Sequence, residues 1–344
     1  MSIKPKVLWI GSRAHAKASW DKLSEIADVQ FCTSKNRSEF INDLKGKYKD
    51  VVSIGRTAEL DVTGRFDEEL VSHFPSSVKT VSHCGAGYDQ VDVEPLLKRN
   101  IQLSNITTPV EAPTADTAIF LLLSALRNFQ ESHDLLMKGE WERTGVKSAG
   151  AKYGHLPSYK TVGILGMGGI GRCIRDRLKP FGFKDLYYHN RSKLSPELEG
   201  DCKYLSYDDL LSKSDIIIVS VPLNKKTHHL INKEAMDKMK DDVIIINTAR
   251  GAVIDEKTLT EYLKSGKVGF LGTDVFEFEP KVDQELLDLP NCVSLPHMGT
   301  HTVESQVEME DFVIQNIETF LKTGKVKTVV PEMYNVDFKH EALI

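Results

Sequence analysis

The run Gly166-Met167-Gly168-Gly169-Ile170-Gly171 stands directly after a β-rich stretch, Thr161–Leu165, and opens a helical one, Gly169–Leu178. In that setting the spacing G-x-G-x-x-G has a mechanical meaning. The first glycine permits a tight turn, the second lets backbone approach a pyrophosphate, and the third brings helix close to strand. The helix N-terminus then faces the anion. Glycines also serve ordinary turns, so the strand before and the helix after carry the inference. Gly166, Met167, Gly168, Gly169, Ile170 and Gly171 are expected to bind a dinucleotide.

Short β-rich runs alternate with helical stretches along the rest of the chain, a pattern of βαβ units and a largely parallel sheet. Strands are expected at 6–11, 51–54, 79–83 and 101–104, and a helix over 114–129 with Pro113 at its start. A polar, Gly-containing connector spans 138–159. Further strands are expected at Thr161–Leu165, 186–189, 215–221, Val243–Asn247, 268–274 and 292–295, then a last helix at 302–321. The blocks Ile216-Ile217-Ile218-Val219 and Val243-Ile244-Ile245-Ile246 do not alternate with polar residues, as befits strands covered on both faces.

At 344 residues the chain has length for two domains, at ~150 residues each. Hydrophobic residues at 41% and charged residues at 27% exclude a disordered chain. With 44 Lys+Arg against 49 Asp+Glu, nothing in the charge invites nucleic acid or an anionic membrane, and neither is expected as a partner. Cys32, Cys84, Cys173, Cys202 and Cys292 are isolated, without a CxxC pair, which fits a reducing compartment. The longest apolar run, 118–123, is far below the ~20 residues that span a bilayer. No signal-peptide core follows Met1. A cytoplasmic protein is expected.

The second strand of the nucleotide fold decides which dinucleotide fits. An NAD site places an acid ~20 residues on, at the strand's tip, against the ribose 2′-hydroxyl. Here the tip reads His189-Asn190-Arg191-Ser192, and Asp185 lies at the wrong end. Arg191 with Asn190 and Ser192 suits a 2′-phosphate, so NADPH is expected, with NADH a weaker alternative. The plain alternative is a solvated loop with an incidental arginine.

Ligands bind at the carboxyl ends of strands in open α/β sheets. Three such ends offer reactive groups: Arg250, Glu279 and His297. Reducing a 2-oxo acid needs a cation for the carboxylate and a proton donor for the nascent alkoxide. Histidine beside a carboxylate supplies the donor, because the carboxylate favours imidazolium. Singly, each residue could be a surface ion pair, a loop cap or a structural histidine. Together, downstream of a dinucleotide loop, they point to one site.

These blocks resemble the D-isomer-specific 2-hydroxyacid dehydrogenases over almost the whole chain. The likeness rests on His83-Cys84-Gly85-Ala86-Gly87-Tyr88-Asp89, the glycine loop, Val221-Pro222-Leu223 with Thr227, Asn247 to Gly251, Asp274 to Pro280, and Pro296-His297-Met298-Gly299. The resemblance implies two doubly wound parallel-sheet domains. A Rossmann dinucleotide-binding domain, 113–299, would be inserted into a flavodoxin-like substrate domain made of 1–112 and 300–344. It implies Arg250, Glu279 and His297 as catalytic residues, with Cys84, Gly85, Ala86 and Gly87 also at the substrate carboxylate. It places Val221, Pro222, Thr227, Thr248, Ala249, Asp274 and Gly299, with Arg250 and His297, at the cofactor.

The 188–192 stretch resembles the NADPH-preferring glyoxylate/hydroxypyruvate reductases. The 227–231 and 276–280 blocks resemble fungal members, some acting on bulkier or aromatic 2-oxo acids of the D-mandelate type. Cys84 and Met298-Gly299-Thr300-His301 depart from the commoner family sequence beside the expected site, which bears on substrate size. A homodimer is implied. A dinucleotide-sensing corepressor is the reading from another class, disfavoured by the lack of a disordered interaction tail. No metal is expected: Gly299 and the helix start at Thr302 spoil a shared face for His297 and His301, and His228 and His229, being adjacent, are expected to point apart.

Overall fold

The computed structural model describes residues 4–11, 15–58 and 62–344. The chain divides into two compact units, one of Met1–Val110 with His301–Ile344 and one of Glu111–Thr300.

The first unit holds a five-stranded sheet in the order β2-β1-β3-β4-β5, all parallel. Its strands are β1 (Lys6–Ile10), β2 (Asp28–Phe31), β3 (Val51–Thr57), β4 (Thr80–Cys84) and β5 (Gln102–Ser104). The order reverses between β1 and β3, as in a flavodoxin-like sheet.

The second unit holds seven parallel strands in the order β12-β11-β10-β9-β6-β7-β8. They are β6 (Thr161–Leu165), β7 (Asp185–His189), β8 (Lys203–Tyr204), β9 (Ile216–Val219), β10 (Val243–Asn247), β11 (Val268–Thr273) and β12 (Cys292–Ser294). This is the doubly wound arrangement, with its switch point between β6 and β9. The unbroken apolar runs are explained by burial on both faces. Ile217, Val219, Val243 and Ile245 pack into one apolar layer, and Ile216, Ile218, Ile244 and Ile246 into the layer opposite. Successive side chains of a strand point to opposite faces, so both positions must be apolar.

Several boundaries differ from the sequence reading. β2 and β8 were not anticipated; each is an edge strand whose side chains are exposed or only partly buried, so neither carries an apolar signature. The helix expected over 114–129 runs Glu111–Arg127, and Pro113 sits in its first turn, where a missing N–H costs nothing. Asn128 then takes a left-handed backbone (φ 51°), and a separate helix, Phe129–Met137, follows. The expected strand at 215–221 is confined to Ile216–Val219. The last helix spans Val303–Thr323, capped by the Thr302 side chain on the Ser305 amide and ended by Gly324. Among the described residues, no helix is long and apolar enough to cross a membrane.

Candidate active site

The glycine loop leaves β6 through Gly166, whose φ of 102° and 2.6 Å clearance to the Ser220 carbonyl oxygen, measured from an added Cβ, admit no side chain. A Cβ on Gly171 would overlap the Gly166 carbonyl, so the helix packs directly onto the turn. Gly168, by contrast, faces open space. The Gly169–Leu178 helix begins there, and the amides of Gly169, Ile170 and Gly171 have no acceptor within it. An open glycine beside first-turn amides fits a pyrophosphate. Two bonds brace the loop from behind: the Gly166 amide donates to the His189 carbonyl at 2.9 Å, and the Met167 amide to Asn190 Oδ1 at 2.7 Å. The Asn190 side chain is thus a strut of the loop.

At the tip of β7 no carboxylate appears. Thr161 and Asp185 are in register on parallel strands, which puts Asp185 at the far end, paired to Lys203 at 3.1 Å. The near end carries His189, whose Nδ1 donates to the Leu205 carbonyl, then exposed Arg191 and Ser192. Arg191 makes no ion pair among the described residues.

Beyond β9, Val221 packs into the apolar layer, and Thr227 Oγ1 donates to the Pro222 carbonyl at 2.6 Å. His228 and His229 do not point apart. His229 has a left-handed backbone (φ 49°), which breaks strand-like alternation, and the two rings stack 4.1 Å apart.

The reactive residues gather at the ends of β10, β11 and β12. After β10, buried Asn247 braces the turn: its Oδ1 accepts from the Ala249 amide and its Nδ2 donates to the Arg250 carbonyl, both at 3.0 Å. The Thr248 hydroxyl within that turn is buried without a partner. Arg250 Nη1 donates to the Ala249 carbonyl at 2.8 Å. A Cβ on Gly251 would overlap the Phe276 carbonyl carbon, so this turn lies directly against the one after β11.

There Asp274 is buried and takes three roles. Its carbonyl accepts from the His297 amide at 2.8 Å, and its two carboxylate oxygens accept from Met298 and Gly299 at 2.7 and 2.8 Å. Burial pushes its carboxyl up, against those amides and His297. Glu279 is held at both oxygens. Oε1 accepts from the Phe276 amide at 2.8 Å and Oε2 from His297 Nδ1 at 2.7 Å. Burial alone would raise this carboxyl. The His297 hydrogen bond and charge, the Phe276 amide and nearby Arg250 outweigh it and hold Glu279 below the ordinary carboxylate range. With Nδ1 committed to Glu279, Nε2 is the atom that can carry a transferable proton.

In the first unit, β4 delivers Cys84, whose buried thiol is pushed up to about 12 by burial and by Glu310. The following carbonyls are tied one after another. Gly85 accepts from the Ile106 amide at 3.0 Å, Ala86 from Asn105 Nδ2 at 2.7 Å, and Gly87 from His83 Nε2 at 2.9 Å. Neither Asn105 nor Asn247 was given a role from sequence; an asparagine at or just beyond a strand end is the signal that could have found them.

A family model described as D-isomer specific 2-hydroxyacid dehydrogenase, NAD binding domain, matches residues 119–299. Glyoxylate reductase 1 of Saccharomyces cerevisiae is 50% identical over 99% of this chain and 99% of its own length. The chain belongs to the D-isomer-specific 2-hydroxyacid dehydrogenase family. Within that family, 4-methyl-2-oxopentanoate reductase A of Aspergillus oryzae is 44% identical, covering 96% of this chain and 99% of that protein. The crystal structure of a glyoxylate reductase from Paecilomyes thermophila superposes with a TM-score of 0.91 at 43% identity, covering 96% of this chain and 99% of that one. This D-2-hydroxyacid dehydrogenase is therefore an oxidoreductase with a nicotinamide-dinucleotide-binding domain, and its two parallel-sheet α/β units are those of its family.

Proposed function

We propose that this dehydrogenase reduces a small 2-oxo acid of the glyoxylate or hydroxypyruvate type to the D-2-hydroxy acid, preferring NADPH to NADH. One observation carries the reading: Glu279 is fixed between the Phe276 amide and His297 Nδ1, with Arg250 close enough to lower its carboxyl. The nicotinamide, when bound, supplies the hydride. Arg250 grips the substrate carboxylate with its planar fork, which a lysine cannot reproduce. His297 gives the Nε2 proton to the carbonyl oxygen as negative charge develops there. Glu279 keeps the ring oriented through Nδ1. Asp274 fixes the turn behind His297 through Met298 and Gly299. The 84–87 loop, its carbonyls tied back, is assigned to the substrate carboxylate as well.

The glycine loop would hold the pyrophosphate, with Val221, Pro222, Thr227, Thr248, Ala249 and Gly299 along the remainder of the cofactor. The absence of an acid at the β7 tip, together with exposed Arg191, supports the 2′-phosphate. Exposed Met137, Trp141, Tyr153, Leu156 and Tyr159 crowd the stretch from the Phe129–Met137 helix to β6, which supports a homodimer. A cytoplasmic location fits five free cysteines. The similarity to a 4-methyl-2-oxopentanoate reductase favours a second reading, a pocket for a branched 2-oxo acid.

A panel of glyoxylate, hydroxypyruvate, 4-methyl-2-oxopentanoate and phenylglyoxylate, each with NADPH and NADH, tests both. The highest kcat/KM is expected for glyoxylate or hydroxypyruvate with NADPH. A preference for 4-methyl-2-oxopentanoate replaces the first reading by the second, and equal efficiency with both cofactors removes the NADPH assignment.

A further inference from the structure

The loop after β9 and the turn after β11 meet at His228, His229 and Glu277. The left-handed backbone at His229, fixed by its amide on the Ala252 carbonyl at 2.9 Å, turns the two rings face to face, 4.1 Å apart and 27° from parallel. His229 Nε2 donates to Glu277 Oε1 at 2.8 Å. One ligand atom from each of the three residues lies within 4.8 Å of the other two. Tetrahedral Zn²⁺, with bonds of ~2.0–2.1 Å to nitrogen and oxygen, holds its ligand atoms roughly 3.3 Å apart. The His229–Glu277 pair at 2.8 Å would open slightly as the Nε2 proton leaves, and His228, which is exposed, would turn inward.

The glutamate is oriented from behind. The Glu256 amide donates to Glu277 Oε2 at 3.4 Å, and the Glu277 amide donates to Glu256 Oε2 at 3.0 Å. Such outer partners position the carboxylates that bind metals. A simple His229–Glu277 ion pair accounts for two of the residues. The left-handed backbone at His229 accounts for the stacking, and what bears on a metal is that it brings a second imidazole within reach of the same carboxylate.

We propose that His228, His229 and Glu277 form a site for one divalent transition ion of the Zn²⁺ type. Two imidazoles and one carboxylate select zinc, cobalt, nickel or copper over magnesium and calcium. The fourth position is left for water. The ion would tie the loop bearing Thr227 to the turn bearing Glu279, and this inference does not depend on the substrate assigned above.

The test uses the full chain after chelator treatment and desalting. Titration with Co²⁺ reads the visible bands of a tetrahedral centre, and competition with a chromophoric chelator reads Zn²⁺ affinity. One equivalent is expected. His228→Ala and Glu277→Gln should each weaken Zn²⁺ by at least about tenfold, whereas His297→Ala and His301→Ala should leave it unchanged. Zn²⁺ should also raise the thermal midpoint of the unmodified protein and not that of His228→Ala. Since His228 is exposed, that variant should keep the metal-free midpoint of the parent. Absence of bound ion at submillimolar Zn²⁺, binding that survives both substitutions, or binding lost with His297→Ala would each overturn the proposal.

Discussion

Two loops in this chain, each braced by an asparagine, are braced in opposite senses. In the 85–87 loop Asn105 donates to a carbonyl, and the Gly85 and Gly87 carbonyls are taken as well. In the glycine loop Asn190 accepts from an amide, and the Gly166 amide is also spent on its own neighbours. The first arrangement draws carbonyl oxygens back into the protein. The second leaves the first-turn amides of Gly169 to Gly171, beyond the brace, without an acceptor in their helix. On the proposed function, a compact carboxylate and an extended pyrophosphate would call for this difference in bracing. Neither loop contains an ionisable side chain, whereas the turns after β11 and β12 carry Glu279 and His297.

The largest effect should fall on those turns and spare both loops. His297→Ala is expected to lower kcat by about 10²–10⁴ with cofactor affinity unchanged, measured by steady-state rates and fluorescence titration. Glu279→Gln keeps the size but loses the carboxylate that holds His297 Nδ1, and should lower kcat with cofactor affinity unchanged; an unchanged kcat would disprove the pairing. Because the Glu279 carboxyl is held below its ordinary value of 4.5, it adds stability above that value. That stability is lost as pH falls through the lower value it has in the folded chain.

Next, Arg191→Ala should weaken NADPH by about 1.5–3 kcal/mol, the scale of a charged hydrogen bond, and leave NADH untouched. Gly171→Ala forces a methyl into the Gly166 carbonyl and should cost about 1–3 kcal/mol of stability, weakening NADPH and NADH alike. The smallest effect is expected from Asn105→Ala. Losing one bond to the Ala86 carbonyl, about 0.5–1.5 kcal/mol, should raise KM for the 2-oxo acid and leave cofactor affinity alone. If it weakens cofactor instead, the contrast between the loops fails.

Legibility in the sequence followed burial. β6, β9 and β10 stood out because both faces are covered by apolar layers, whereas β2 and β8 lie at sheet edges, half in solvent. The helix break at Asn128 depends on one left-handed residue and leaves no periodic trace. In the candidate site, the side chains with chemistry were readable by type and by their place at strand ends. Their supports were not, because the Phe276 amide under Glu279 and the paired amides on Asp274 are main-chain groups common to every residue. The stacking of His228 on His229 escaped for a related reason: adjacency suggested divergence, and a single dihedral reversed it.

The seam at Gly251 has a consequence for engineering. Because main chain lies on main chain there, the interval between the Arg250 turn and the Glu279 turn is gauged by backbone thickness, with no side chain between to swell, shrink or change rotamer. A designer can therefore vary what surrounds these turns, to admit a longer or branched substrate, without resetting the spacing of Arg250 and Glu279. A single methyl at position 251 would do the reverse, leaving every reactive group in the chain while forcing the arginine and the glutamate out of step.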